Sequence, residues 1–394
     1  MSAEAPRRAI VLVIDACGVG ALPDADAYGD AGTNTLGHLA EALGGLRLPA
    51  MQALGLGSIT ALAGVPPAAD AVAIHGRLHA LGPGKDSISG HWELMGVSVS
   101  APLPTYPQGF PPDVLARLRE ATGHELICNR PANGLSAIEE FGAEHLRSGA
   151  LILYTSQDSV LQLAAHTDRL SEGELRAACE AARASMSGEH AVGRVIARPF
   201  RGAEGSFERT AGRRDFALAP PSASYLQELQ DAGVPVHAVG KVTDLFAGVG
   251  VSDSHAGATN AQALDSVEQL LARGASGLVF ANLIETDQVY GHRKDAPGFA
   301  RALREIDAAL ARLLAGLGEE DLLIVTADHG VDLTHPGTDH TREYAPLLAV
   351  TGAMIGARVP GARHDGPLAD VGASVLHWLA GRDAPALPGA SFIS

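Results

Sequence analysis

Residues 321–343, DLLIVTADHGVDLTHPGTDHTRE, carry side chains able to hold a divalent cation. Asp328 and His329 directly follow an apolar run, and His340 comes eleven residues after His329, beside Asp339. Carboxylate oxygen mixed with imidazole nitrogen suits a transition metal better than calcium, which prefers oxygen alone. One Asp-His pair by itself is more often a solvated polar loop, so other segments have to decide. Asp15 follows the apolar run AIVLVI at 9–14 and leads into Ala16-Cys17-Gly18-Val19-Gly20. Gly18 and Gly20 lack the third glycine and the ribose-reading acid of a dinucleotide fingerprint. A further apolar run, 277–283, ends in Ile284-Glu285-Thr286-Asp287, with His292 five residues beyond Asp287.

In a parallel sheet all strand carboxyl ends share one edge, where ligands bind. Asp15, Asp287 with His292, Asp328-His329 and His340 would then converge as a two-metal site. Two ions ~3.5–4 Å apart clamp the attacking and leaving oxygens of a phosphoryl group. The segment Gly84-Lys85-Asp86-Ser87-Ile88-Ser89-Gly90-His91-Trp92-Glu93 supplies a candidate nucleophile. A helix starting near Ser87 would turn its free N–H groups and dipole toward a phosphate on that hydroxyl. The plainer alternative is that Asp86 or Ser87 only caps the helix. Metal coordination would deprotonate the Ser87 hydroxyl and activate it.

The elements that must position these residues alternate between strand and helix. Strands are expected at 9–14, 234–239, 277–283, 322–326 and 346–350. Helices are expected at 35–43, at 299–317, where Phe299, Leu303, Ile306, Leu310, Leu313, Leu314 and Leu317 keep helical spacing, and at 370–379. That order predicts an α/β core, doubly wound around a mostly parallel sheet. Residues 99–218 differ in texture, opening on five prolines between 102 and 112 and closing on Pro220-Pro221. They read as an inserted smaller α/β cap domain between core parts 1–98 and 219–394, with hinges near 99–104 and 216–222. Within it come a strand at 151–154, the polar Thr155-Ser156-Gln157-Asp158-Ser159, a helix, a strand at 195–197, and six arginines: Arg194, Arg198, Arg201, Arg209, Arg213 and Arg214. Guanidinium groups match phosphate in bidentate fashion.

Composition narrows the classes. The 394 residues are 46% hydrophobic and 19% charged, as in a globular enzyme. Lys+Arg 29 against Asp+Glu 45 gives a net charge of −16, which speaks against nucleic acid or anionic membrane as partner. Cys17, Cys128 and Cys179 are too few and too scattered for a disulfide framework. With an N-terminal apolar run of only six residues before Asp15, the expected location is cytoplasmic. No obligate protein partner is inferred.

Taken together these segments resemble the phosphopentomutases of the alkaline phosphatase superfamily, along nearly the whole chain. Asp-His-Gly at 328–330 indicates only the superfamily. Narrower are Gly90-His91-Trp92-Glu93 and His335-Pro336-Gly337-Thr338-Asp339-His340-Thr341-Arg342-Glu343, joined by Val13-Ile14-Asp15, Tyr154-Thr155-Ser156-Gln157-Asp158, Ala197-Arg198-Pro199-Phe200 and Gly291-His292-Arg293. The resemblance implies an alkaline-phosphatase-like fold. It implies one Mn²⁺ on Asp15, Ser87, Asp328 and His329, and a second on Asp287, His292 and His340. The implied reaction interconverts ribose 1-phosphate and ribose 5-phosphate, and the 2-deoxyribose esters, through a phosphorylated residue and a sugar bisphosphate. A priming bisphosphate such as glucose 1,6-bisphosphate is expected, and Asp158, Arg198, Arg209 and Lys241 are the implied sugar-phosphate contacts. A cap closed over the intermediate would keep water from the phosphoenzyme.

The sequence departs from the family pattern at three places: Ser87 stands where threonine is usual, and Glu285 and Val331 replace an expected Asp and Asn. Two rivals stay open. A metal-dependent phosphatase or a cofactor-independent phosphoglycerate mutase would use the same scaffold. A catalytically silent sugar-phosphate-binding protein would keep the fold without turnover.

Overall fold

A computed structural model describes residues 7–156, 159–358 and 360–393. The chain forms two compact units. One ends at Ala101 and resumes at Pro220; the other is Pro102–Ala219. In chain order the strands of the described residues are β1 (Arg8–Ile14), β2 (Ile74–His79), β3 (Leu126–Pro131), β4 (Leu151–Thr155), β5 (Val160–His166), β6 (Arg194–Arg201) and β7 (Glu208–Arg209). They continue as β8 (Arg214–Ala217), β9 (Val236–Val239), β10 (Asp253–His255), β11 (Gly277–Leu283), β12 (Asp321–Thr326), β13 (Ala345–Thr351) and β14 (Gly366–Pro367).

The larger unit is built on a sheet of order β10-β9-β11-β1-β12-β13-β2-β14. β1 lies in its middle, and residues 9–14 are all buried, as a continuous β-branched and apolar run requires between two helical layers. β1 pairs in parallel with β11 on one side and β12 on the other, so that Val13 faces Asn282 and Thr326. The carboxyl ends of these three adjoining strands therefore open side by side.

The helix Ala296–Gly316 covers this sheet with Phe299, Leu303, Ile306, Leu310 and Leu313. Asp295 caps its first turn, accepting from the Gly298 amide. Asp307, buried on the same helix, accepts from the amides of Ala50 and Met51 and so caps the start of the helix Pro49–Ala53.

The run of parallel pairs breaks at β12 and resumes only at the far edge, where β14 is parallel to β2. The strand expected at 346–350 forms, as β13, but it runs antiparallel to both β12 and β2. The linker 327–344 holds no helix, and without a crossover element a returning strand can only pair antiparallel. The sheet is thus mostly, not wholly, parallel.

The smaller unit is an α/β sheet of order β3-β4-β5-β6-β7, with β8 also on β6. Alternation along β4 sorts its two faces. Leu151 and Leu153 join Val114, Leu118, Leu175 and Cys179 on one side. Ile152 and Tyr154 join Ala137, Ile138 and Phe200 on the other. Residues 160–166, directly after the polar segment, form the buried strand β5, and the expected helix comes later, as Glu172–Ser185. Among the described residues no helix is long and apolar enough to cross a membrane.

Candidate active site

Two carboxylate–imidazole groups stand at the carboxyl edge of the β11-β1-β12 block. In the first, donor atoms of Asp15, Asp328 and His329 lie within 4.8 Å of one another, all buried. His329 Nε2 is 3.4 Å from Asp15 Oδ1 and 3.5 Å from Asp328 Oδ2. Its other nitrogen, Nδ1, donates to the Gly330 carbonyl at 3.1 Å, which turns the Nε2 lone pair inward as metal-ligating imidazoles require. Asp328 Oδ1 accepts from the amides of Ala16 and His329, each at 3.1 Å. The Ala16 amide reaches it because Ala16 adopts a left-handed φ of 63°, a strained conformation for a residue with a Cβ.

The second group is Asp287, His292 and His340. Residues 286–291 wind into a π-helical turn, with the His292 amide donating to the Asp287 carbonyl. The wider turn stacks residues five apart, and His292 Nε2 comes to 3.3 Å from Asp287 Oδ1. His340 Nε2 approaches the same oxygen at 3.3 Å. His292 Nδ1 is anchored on the Thr338 carbonyl at 2.6 Å. The rings of His329 and His340 lie 4.0 Å apart between centroids, which makes the two groups neighbours.

The charges of these groups are unbalanced as they stand. Burial, and then the nearby Asp328 carboxylate, raise the Asp15 carboxyl. Burial works against charge on Asp328 too, but His329, His91 and the Ala16 amide outweigh it and hold that carboxyl well below the usual range. Burial disfavours the His329 cation, yet Asp328 and Asp15 more than offset this and push it up to about 10. Asp287 also resists burial through His292 and His340, and its carboxyl stays low. Asp287 Oδ1, Asp328 Oδ2 and His340 Nε2 are buried without a hydrogen-bond partner. Inward-facing orphan acceptors within mixed O/N donor sets fit a divalent transition metal.

Ser87 opens the helix Ser87–Leu94, which Asp86 caps by accepting from the Ile88 and Ser89 amides. The capping alternative therefore falls to Asp86 and leaves the Ser87 hydroxyl available. Ser87 Oγ lies 3.3 Å from Asp15 Oδ1 and 3.2 Å from His329 Nε2. The helix packs closely on the Asp328 loop, since a Cβ built on Gly90 would sit 2.4 Å from the Asp328 carbonyl oxygen. Arg342 fixes the preceding loop, donating to Asp24 and to the Gly84 carbonyl, while Lys85 reaches Asp30 at 3.0 Å.

The metalloenzyme superfamily matches this chain over residues 7–381. The chain is 47% identical over 369 residues to a phosphopentomutase of Caldanaerobacter subterraneus subsp. tengcongensis, covering 94% of this chain and 93% of that one. It is 47% identical over 382 residues to the phosphopentomutase of Symbiobacterium thermophilum, covering 95% of each. The chain belongs to the phosphopentomutase family. It is thus an enzyme of the mutase class of isomerases, within a superfamily of metalloenzymes. Among solved structures, the PH0037 protein from Pyrococcus horikoshii matches 96% of this chain and 99% of its own, with TM-score 0.50 at 14% identity, a likeness of fold.

In this phosphopentomutase Asp15, Ser87, Asp287, His292, Asp328, His329 and His340 all lie at one sheet edge. Lys241 follows β9, which is parallel to β11, at the same edge. Arg198 and Arg209 belong to the smaller unit, where Arg198 Nε donates to Gln162 Oε1 at 3.1 Å. Asp158 lies outside the described residues.

The family departures have local accounts. Glu285 and Asn260 exchange bonds, each side chain accepting from the other's amide, which ties the Asp287 turn to the helix Asn260–Ala272. Val331 packs on the bare face of Gly291, inside the π-helical turn.

Several supporting residues have no individual sequence signal. Thr286 Oγ1 donates to the Asp15 carbonyl at 2.6 Å and so links the two groups. Glu343, buried and therefore raised in pKa, gathers the amides of Gly20 and Thr35 with the hydroxyls of Thr35 and Thr341. His91 and Asn282 sit behind the first group.

Proposed function

We propose that this phosphopentomutase interconverts ribose 1-phosphate and ribose 5-phosphate, and the 2-deoxyribose esters, with Ser87 as the phosphoryl carrier. The carrying observation is the Ser87 hydroxyl at a helix N-terminus, 3.3 Å from Asp15 and 3.2 Å from His329. Asp15, Ser87, Asp328 and His329 would hold one Mn²⁺ and Asp287, His292 and His340 the other. When bound, such ions neutralise phosphoryl charge and lower the pKa of the hydroxyl they touch.

The phosphorylated Ser87 gives its phosphoryl group to the free hydroxyl of the incoming pentose phosphate. The Oγ–P bond breaks as the new sugar O–P bond forms, which leaves a pentose bisphosphate and a free Ser87. Transfer of the other phosphoryl group back to Oγ releases the isomeric ester and restores the carrier. A sugar bisphosphate such as glucose 1,6-bisphosphate primes the first cycle.

Asp86 already engages the Ile88 and Ser89 amides, so the helix Ser87–Leu94 favours the phosphoserine charge through the positive end of its dipole. Arg198, Arg209, Lys241 and Asp158 are the proposed sugar-phosphate contacts. The guanidinium pair offsets a chain charge of −16 that would otherwise repel an anionic substrate. The smaller unit acts as the cap that keeps water from the phosphoenzyme.

The test is a paired assay with Mn²⁺, a trace of glucose 1,6-bisphosphate and ribose 5-phosphate, following ribose 1-phosphate and inorganic phosphate together. Ribose 1-phosphate without stoichiometric phosphate, lost in Ser87→Ala, is the expected result. Phosphate release alone would make the enzyme a hydrolase. Full activity in Ser87→Ala would remove Ser87 as carrier.

A further inference from the structure

We infer that His91 and Asn282 are positioning residues that set metal affinity at the Asp15–Asp328–His329 group and leave the Asp287 group untouched. This rests on the two-metal reading above. His91 is fully buried one helical turn after Ser87. Its Nδ1 lies 2.8 Å from the Ser87 carbonyl oxygen and 3.2 Å from Asp328 Oδ2. Its Nε2 lies 2.8 Å from Asn282 Nδ2, and the Asn282 amide also reaches Asp15 Oδ2 at 3.1 Å. An amide nitrogen only donates, so His91 Nε2 is the acceptor and the imidazole proton sits on Nδ1. There it bonds the Ser87 carbonyl and faces the Asp328 carboxylate.

A hydrogen-bonded relay thus runs from Asp15 through Asn282 and His91 to the Ser87 backbone and Asp328. It lets each carboxylate divide its labour. Asp15 Oδ2 is held by Asn282 while Oδ1 faces His329 and Ser87. Asp328 Oδ1 is held by two amides, while Oδ2 lies between His91 Nδ1 at 3.2 Å and His329 Nε2 at 3.5 Å.

The Asn282 orientation is itself informative. Its Oδ1 is buried without a hydrogen-bond partner. Rotating the amide would put that oxygen between the Asp15 carboxylate and the Nε2 lone pair, replacing two attractions with two repulsions. The fold accepts an orphan carbonyl and keeps the donor aimed at Asp15. In the second group His292 Nδ1 is anchored on the Thr338 carbonyl, and neither His91 nor Asn282 is a ligand-set member there. Outer partners of this kind typically govern about 10–100-fold in metal affinity or activity.

The experiment titrates chelator-treated full-length protein with Mn²⁺ alone, by calorimetry, in wild type, Asp328→Asn, Asn282→Leu, His91→Gln and His91→Asn. The melting temperature of each metal-free protein is measured in parallel. Asn282→Leu and His91→Gln are expected to weaken, by about 10–100-fold, the class of site that Asp328→Asn abolishes, and to spare the other. His91→Asn, whose amide replaces Nδ1, is expected to recover most of that affinity. In turnover, kcat falls and KM for ribose 5-phosphate stays near wild type.

Wild-type affinity at both classes in Asn282→Leu and His91→Gln would overturn the inference. So would equal weakening of both classes with a lower metal-free melting temperature, since that is damage to the fold. Should Asn282→Leu not fold, the two His91 variants decide alone. A wild type that takes up no Mn²⁺ at the first group sinks the two-metal reading itself, and the relay's role with it.

Discussion

The two carboxylate–imidazole groups share donor chemistry but are held in opposite ways. Asp15, Asp328 and His329 are buried together, with their outer atoms tied to Asn282, the Ala16 amide and the Gly330 carbonyl. Asp287, His292 and His340 sit nearer solvent, and the His292 side chain is 35% exposed. Asp287 Oδ1 lies 3.3 Å from each of its two imidazoles, and a π-helical turn brings His292 to it. The first group is therefore preorganised by buried side-chain and backbone partners behind it, and the second mainly by backbone winding. Preorganisation matters most where charge develops in a reaction, and the proposed carrier Ser87 lies beside the first group.

Paired substitutions give the largest expected contrast. Asp328→Asn should lower kcat/KM by about a thousandfold, whereas His292→Gln should cost about 10–100-fold. Equal losses in the mutase assay would break the distinction. Metal removal comes next. With free Mn²⁺ at 100 times Kd, each site adds about 2.7 kcal/mol, so chelation should lower the melting temperature clearly. In the metal-free protein Asp15→Asn should raise stability, by about 1 kcal/mol, because it relieves the repulsion between two buried carboxylates. Calorimetry showing a loss instead would mean the first group is not strained when empty.

pH sharpens the comparison further. His329 titrates at about 10 in the metal-free protein, above the ordinary 6.5. Its protonation therefore contributes stability that is fully present below 6.5 and lost as pH rises through about 10. Metal uptake must displace that proton, so Mn²⁺ affinity at the first group should rise with pH, approaching about tenfold per unit in that window. The Asp287 carboxyl is already ionised there, and a shallower slope is expected at its group. The smallest effect is at Ala16. Ala16→Gly relieves the left-handed strain and should stabilise the protein by about 1 kcal/mol, read as a small rise in melting temperature.

Much of this arrangement was legible because apolar runs ended in ligand-type residues. The runs before Asp15, Asp287 and Asp328 became adjoining parallel strands, and that adjacency brought the two groups together. Spacing was less informative where the backbone left regular winding. Asp287 and His292, five apart, share a face only through the π-helical turn, which no residue type announces. Asn282 was hidden for another reason. It sits inside the run GLVFANL, where a single amide reads as a tolerated polar residue in a buried strand. β13 was visible as a strand but not in direction, since direction depends on a linker that carries the site in place of a helix. β5 escaped because Gln162 and His166 interrupt an otherwise short apolar stretch, although all seven of its residues are buried.

Gly90 gives the molecule a steric gauge. Bare α-carbon contact with the Asp328 carbonyl makes the helix that bears Ser87 and the Asp328 loop a single rigid caliper. One added methyl group, 2.4 Å from that oxygen, has to open the caliper by about an ångström, since ordinary contact begins near 3.4 Å. Misplacement on that scale costs on the order of a hundredfold in rate. A folded protein with every catalytic atom in its sequence can therefore lose turnover through a carbon that takes no part in the chemistry.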